Sequence, residues 1–423
     1  MTKITKYYEN LDVNGLVAIK DGTQGTSKIF ISDSGGTGTW VSQSSLTGIT
    51  GGSSAATVAN TVFVSKNGSD STGLIDRLDK PFLTISAATT ALNNAYPVSA
   101  RTSTTRYLVK VFSGYYTERI VLSNYTDYDL SDTILDVVSG ANYTIDDNNV
   151  ACNSIIYGNS QIKRSTAGTL GCVRTQHSAT TLTVYADNII SNIGTAIECS
   201  NGVQNIIVSS GITSIGVGVA SYGGTQTIKC NNITATSYGV WCTGGTQTIY
   251  GNVSSTSTSA VVSDGGTQSI YGNVSCSADT AVVSNSGTQF IKGDVLLVNL
   301  GGSAACNGGN QTIIGNLSDY IYCASGNQTI TGNINGNSDG VVLCDGGVVR
   351  VNNGRLTDTT ASDVIQGGPT IILNNCTLIT SGGGNSLQNG SVVKIYGGCQ
   401  ANTAVGAGVT QQVSAVTVSV NVV

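Results

Sequence analysis

Charged residues make up only 10% of the 423-residue chain, and histidine and methionine occur once each and proline three times. With so little charge and a net of -5, nothing points to nucleic acid or an anionic membrane as partner. Helix-forming Glu, Lys and Arg are scarce, which argues against a chain built from amphipathic helices. The lone histidine, His177, lies in a polar stretch without partners for a nucleophilic triad and reads as an exposed loop residue. No stretch is long and apolar enough to cross a bilayer. Met1–Lys20 lacks the apolar core of a secretory signal, so synthesis in a cytosol is expected. In that compartment the 11 cysteines, an odd number, are not expected to form a disulfide framework.

What the chain has is 54 glycines, abundant Ser, Thr and Asn, and a 39% hydrophobic fraction rich in Val, Ile and Tyr. That composition suits many short strands joined by small-residue turns and is too apolar for disorder. The segment Gly-Thr-Gln-Thr-Ile-Tyr-Gly-Asn-Val starts at Gly245, and a near copy starts at Gly266. Aligned on its glutamine, the repeat runs through Gln204, Gln226, Gln247, Gln268, Gln289, Gln311 and Gln328, with Gly346-Gly347 and Gly367-Gly368 keeping the beat beyond. Isoleucines 228, 249, 270, 291, 313 and 330 hold the same register. A period of about 21 residues accommodates three short strands and their bends, whereas two packed helices need more than ~30. Left-handed solenoids run on strict six-residue units, which these sequences do not follow. The expected fold is therefore all-β, a right-handed parallel β-helix with a short N-terminal arm and one capping α-helix.

Stacked coils place equivalent residues in columns ~4.8 Å apart. The Gly-Asn column (Gly251-Asn252, Gly272-Asn273, Gly293-Asp294, Gly315-Asn316, Gly332-Asn333) is expected to form left-handed corners, with Asn and Gln amides bonding along their columns. Cys199, Ser221, Cys242, Ser263, Ser284, Cys306, Cys323 and Cys344 form a column read as a small inward slot, with no metal expected. The neighbouring column must then face outward. It reads Glu198, Ala220, Trp241, Val262, Val283, Ala305, Tyr322 and Leu343. The apolar stripe over Trp241, Val262, Val283, Tyr322 and Leu343 is a candidate oligomer interface.

Four regions are expected: residues 1–60 as an attachment or oligomerisation arm with linker, 61–122 as the capped opening of the helix, 123–412 as its body, and 413–423 as a closing strand. In the arm, Phe30 and Trp40 are candidate anchors. Helical spacing from Phe82 to Leu92, after Pro81, predicts the cap. Phe63-Val64-Ser65, Gly68-Ser69-Asp70, Lys80-Pro81-Phe82 with Thr84-Ile85, Val109-Lys110-Val111 and Gly114-Tyr115-Tyr116-Thr117-Glu118 together resemble the opening of pectin-lyase-like right-handed β-helix proteins. Within that superfamily, an arm, a linker and a Ser/Thr/Asn-rich helix look most like a bacteriophage tailspike or fibre. Lys28 to Trp40 is similar to segments of phage fibre proteins. The resemblance implies a homotrimer on a virion, made in the host cytoplasm and joined to other virion proteins through its arm, that serves either host-surface attachment, with a surface glycan as partner, or particle decoration.

Lyases of that superfamily use clustered aspartates for calcium and an arginine base, yet no arginine occurs between Leu182 and Val349. A hydrolase needs two carboxylates ~5–9.5 Å apart. Asp264 and Asp345 share a column four coils apart; only Asp319 and Asp339 fall on adjacent coils, as weak catalytic candidates. Asp127, Asp129, Asp132, Asp136, Asp146 and Asp147 match no ion-binding loop and read as solvated turns. No cofactor or metal is expected. A structural fibre is favoured over an enzyme. The alternatives are a depolymerase with an inter-subunit acidic site and a bacterial adhesin, which the missing export signal disfavours.

Overall fold

A computed structural model describes residues 60–401 apart from 139, 141, 166–169, 300, 337–339, 361–362, 368–369, 381–391 and 398. It also describes the backbone of the strands Lys28–Ser32, Gly38–Ser42, Thr410–Val413 and Ser419–Val420. The chain divides into Met1–Thr57 and Val58–Val423. The first unit holds an antiparallel hairpin that sets Phe30 opposite Trp40. Their side chains lie outside the described residues.

The second unit is an all-β parallel solenoid of about 12 turns with about 22 residues per turn, consistent with right-handed winding. A representative coil consists of Val261–Ser263, a Gly-Gly bend, Thr267–Tyr271, a second bend, and Val274–Cys276. Each strand pairs in parallel with its counterpart one coil away, and the glutamines fall in register throughout. The isoleucine column of Ile206, Ile228, Ile249, Ile270, Ile291, Ile313 and Ile330 is fully buried. Each such side chain contributes about 1.5–3 kcal/mol over an exposed one.

The glutamine column is a continuous buried chain of amides. Each Nε2 donates to the Oε1 of the preceding coil at 2.7–2.9 Å, from Gln226 onto Gln204 through to Gln328 onto Gln311. The same nitrogen of Gln268, Gln289 and Gln311 also donates to the carbonyl six residues earlier, tying two faces of one coil together. The chain stops where Val349 replaces the glutamine, leaving Gln328 Oε1 buried without a hydrogen-bond partner. The Cys/Ser column is likewise inward. Its hydroxyls and thiols donate to carbonyls in the bend of the next coil, as Ser221 Oγ does to Gly244 O and Cys242 Sγ to Gly265 O. Burial pushes the Cys199 and Cys242 thiols up to about 11, so neither is a thiolate at neutral pH.

One expectation about the corners needs correcting. The left-handed position is the second glycine of the Gly-Gly pair, with φ of 69° at Gly245 and 67° at Gly266. The Gly-Asn column takes positive φ as well, at 151° on Gly251, 159° on Gly293 and 142° on Gly332, but closer to extended backbone. It requires glycine because a Cβ on Gly272 would lie 2.2 Å from Gly251 O. Its asparagines mostly accept from backbone rather than from one another: Asn252 Oδ1 takes Asn273 N–H and Asn273 Oδ1 takes Asp294 N–H, both at 3.0 Å. The Asp294 carboxylate serves in the same way, its Oδ1 taking Asn316 N–H at 2.8 Å.

Helix α1 (Ile85–Ala95) packs at the opening and buries Ile85, Ala88 and Leu92. It begins later than the proline suggests. Phe82 instead pairs with the strand Thr61–Val64, and Thr84 is the N-cap, accepting from Ala87 N–H. Asp70 accepts from Leu83 and Thr84 N–H, and Glu118 from Ile85 and Ser86 N–H at 2.8 Å each. The acids of the opening motifs are thus helix-start acceptors. At the other end, Thr410–Val413 and Ser419–Val420 stack in parallel on Val392–Tyr396 and Gln400–Ala401.

Candidate functional site

Register extends the outward column upstream, through Asp146 and Arg174 to Glu198, Ala220 and Trp241. Its head is charged but locked. Arg174 pairs with Asp146 at 2.8 Å and lies over the Tyr143 ring, whose hydroxyl donates to Glu198. Asp146 is fully buried, and the half-buried Glu198 also accepts from Ser200 hydroxyl, so this ladder holds coils together.

Farther along, Trp241 sits between Tyr222 and Tyr238, with ring centroids 5.6 and 5.7 Å away. Its indole N–H donates to Asp264 at 2.6 Å, and Tyr322 hydroxyl donates to Asp345 at 2.8 Å. The two aspartates of one column therefore each orient an aromatic residue of the preceding coil. Trp241, Val283, Tyr322 and Leu343 are half-buried. Val262 is only 6% exposed, and Ala220 and Ala305 are buried as well, so these three offer little to a partner. The stripe is narrower than its sequence suggests.

Asp319 is 3% exposed, and its carboxylate accepts from Tyr320 N–H; Asp339 lies outside the described residues. A carboxyl so enclosed is poorly placed to reach a glycosidic oxygen. Of the upstream acids Asp132 is an exposed turn residue, as expected, but the others are not solvated turns. Asp129, Asp136, Asp146 and Asp147 are all buried. Asp127 pairs with Arg106, Asp129 with Lys110, and Asp147 accepts from Gln176 and His177 N–H. Lysines and arginines one coil away supply partners that local sequence does not reveal. His177 is half-buried, and its Nδ1 accepts from Ala179 N–H. No group of three or more metal-ligating side chains occurs among the described residues.

Asp129 makes a testable case. Burial pushes its carboxyl up, but the Lys110 ammonium and the Ser131 hydroxyl and N–H outweigh it and hold it below the usual range. A depressed folded pKa gives stability that is present above the unfolded value of ~3.9 and is lost as pH falls through the folded one. Asp129→Asn should therefore flatten the acid limb of the stability–pH curve. Urea midpoints measured from pH 7 to pH 2 check this: parallel curves for variant and parent would refute it.

A third surface escaped the sequence reading. One residue past each isoleucine, register aligns Ile207, Lys229, Tyr250, Tyr271, Lys292 and Ile314. Tyr250 and Tyr271 are 42% and 38% exposed and stack at 4.9 Å, and Lys229 lies over Tyr250. Across the bend, Asn232, Asn252, Asn273, Ser254, Ser275 and Asp294 line an open groove of about 550 Å³. The signal was present, since Tyr250 and Tyr271 belong to the repeated segment itself, but an exposed aromatic column has no structural duty to flag it. Comparison with protein-family models, curated proteins and solved structures finds no match.

Proposed function

We propose that the chain is the shaft of a virion fibre or tailspike-like structural protein, a homotrimer used for host-surface attachment through a glycan. One observation supports this most. In the regular coils the buried polar groups serve ladders and bends, while aromatic and amide groups stand exposed along one face. Stacked tyrosines beside asparagine side chains suit the apolar faces and hydroxyls of sugar rings. The half-buried stripe of Trp241, Val283, Tyr322 and Leu343 supports self-association. The N-terminal hairpin is then the mount on the particle, and gold-labelled antibody on particles tests that assignment.

Light scattering on the purified chain should give three copies. The double variant Trp241→Glu/Tyr322→Glu should give single chains, because the six carboxylates it brings to a trimer would be desolvated together. A parent that is monomeric at micromolar concentration removes the interface. Release of reducing ends from host capsule or lipopolysaccharide would overturn the non-enzymatic reading.

A further inference from the structure

Basic residues are unevenly placed. Between Leu182 and Val349 the chain has two, Lys229 and Lys292. Register sets both in one outward column, with Tyr250 and Tyr271 between them. Both lysines are exposed, and neither forms an ion pair among the described residues, where Arg77, Arg106, Lys110 and Arg174 do. Three coil steps separate them, ~14 Å at the usual strand spacing. Phe290 tilts against Tyr271 at 5.8 Å and widens the aromatic strip.

The groove of about 550 Å³ runs beside this column over the same coils, from Asn232 to Asp294. Backbone N–H groups take the Asn252 and Asn273 oxygens, and Asn252 Nδ2 donates to Asn232. That leaves Nδ2 of Asn232 and of Asn273 as the asparagine donors a ligand can use. Asp294 is the one acid in the lining, and its Oδ1 accepts from both the backbone N–H and Nδ2 of Asn316.

We propose that this strip binds a linear glycan in which acidic and neutral sugars alternate, lying along the helix axis. The proposal rests on the attachment reading and adds the class of glycan and its footprint. A pyranose unit is about as long as one coil step, so carboxylates on the outer units of a trisaccharide come within reach of the two lysine side chains. The tyrosine hydroxyls and asparagine Nδ2 groups donate to the unit between them. Two cations without acid partners, at the ends of a polar strip, make it complementary to anions held apart. A uniformly acidic chain fits less well, because the strip has no cation at its middle and Asp294 repels the acid there.

Calorimetric titration of the full chain tests it, with a hyaluronan hexasaccharide, its carboxyl-reduced neutral form and a hexaglutamate peptide. The hexasaccharide, which alternates glucuronate with N-acetylglucosamine, should bind saturably. The neutral form and the peptide should each bind about tenfold more weakly. Lys229→Met and Lys292→Met should each weaken the hexasaccharide about threefold and leave the neutral form unchanged. Asp294→Asn should tighten the hexasaccharide by removing a repulsion. No saturable hexasaccharide binding, equal binding of the neutral form or the peptide, or lysine variants that bind like the parent would each overturn the proposal. The attachment reading has its own readout. It falls only if the labelled chain fails to bind host cells, or binds cells equally well after periodate has oxidised their glycans.

Discussion

Gln268→Met should destabilise the solenoid by about 3 kcal/mol or more, although it conserves side-chain volume. Gln268 is fully buried in the middle of the amide chain. Removing its amide strips the donor from Gln247 Oε1 at 2.9 Å and from Val262 O at 3.2 Å. It also strips the acceptor from Gln289 Nε2 at 2.9 Å. Each buried group so orphaned is unfavourable by about 1–3 kcal/mol. The end of the chain supplies an internal control. Gln328 donates to Gln311 Oε1 at 2.7 Å, but its own Oε1 has no hydrogen-bond partner. Gln328→Met should therefore cost about half as much. Val349→Gln, at the register position of the missing link, should raise stability by about 1 kcal/mol by supplying the absent donor. Urea midpoints of the three variants rank them, and equal losses for the two methionine variants would sink the cooperative-ladder account.

Gly266→Ala should be more damaging still, at about 4 kcal/mol or more, visible as a collapse in soluble yield or unfolding midpoint. Gly266 holds φ at 67°, where an L side chain is strained by about 1–2 kcal/mol. Its new Cβ would lie 2.5 Å from Gly245 O and within 3.0 Å of two Gly244 atoms. These are backbone atoms of the adjacent coil, so no rotamer change relieves the clash and the coils must separate. Gly211→Ala is the matched control, because its Cβ would meet only Asn232 O at 3.1 Å and its φ is ordinary. That variant should stay within about 1 kcal/mol of the parent. A Gly266→Ala protein as stable as the control would show that coil spacing is softer than this geometry implies.

Much of this was legible because the fold is a translation of one coil. Once Gln204 to Gln328 fixed the register, the inward Cys/Ser slot and its outward neighbour followed from strand alternation alone. The failures share a cause: they concern groups whose state depends on a neighbour about 20 residues away. Asp129 looks like a turn acid until Lys110, one coil back, is placed beside it. Val262 looks as outward as Trp241, and only packing within the chain distinguishes them. Left-handed glycine could not be assigned between two glycine columns, since both repeat with the same period and differ only in the tightness of their bends.

The amide chain also has a direction. From Gln226 to Gln328 the later coil gives the proton and the earlier coil receives it. The asparagine oxygens at the second bend follow the same rule, each accepting from a coil made afterwards. During synthesis, which delivers the N-terminal coils first, the edge of the growing stack always presents open acceptors. Each emerging glutamine finds its oxygen already positioned, so the helix can template its own winding from ribosome to completion, one turn at a time.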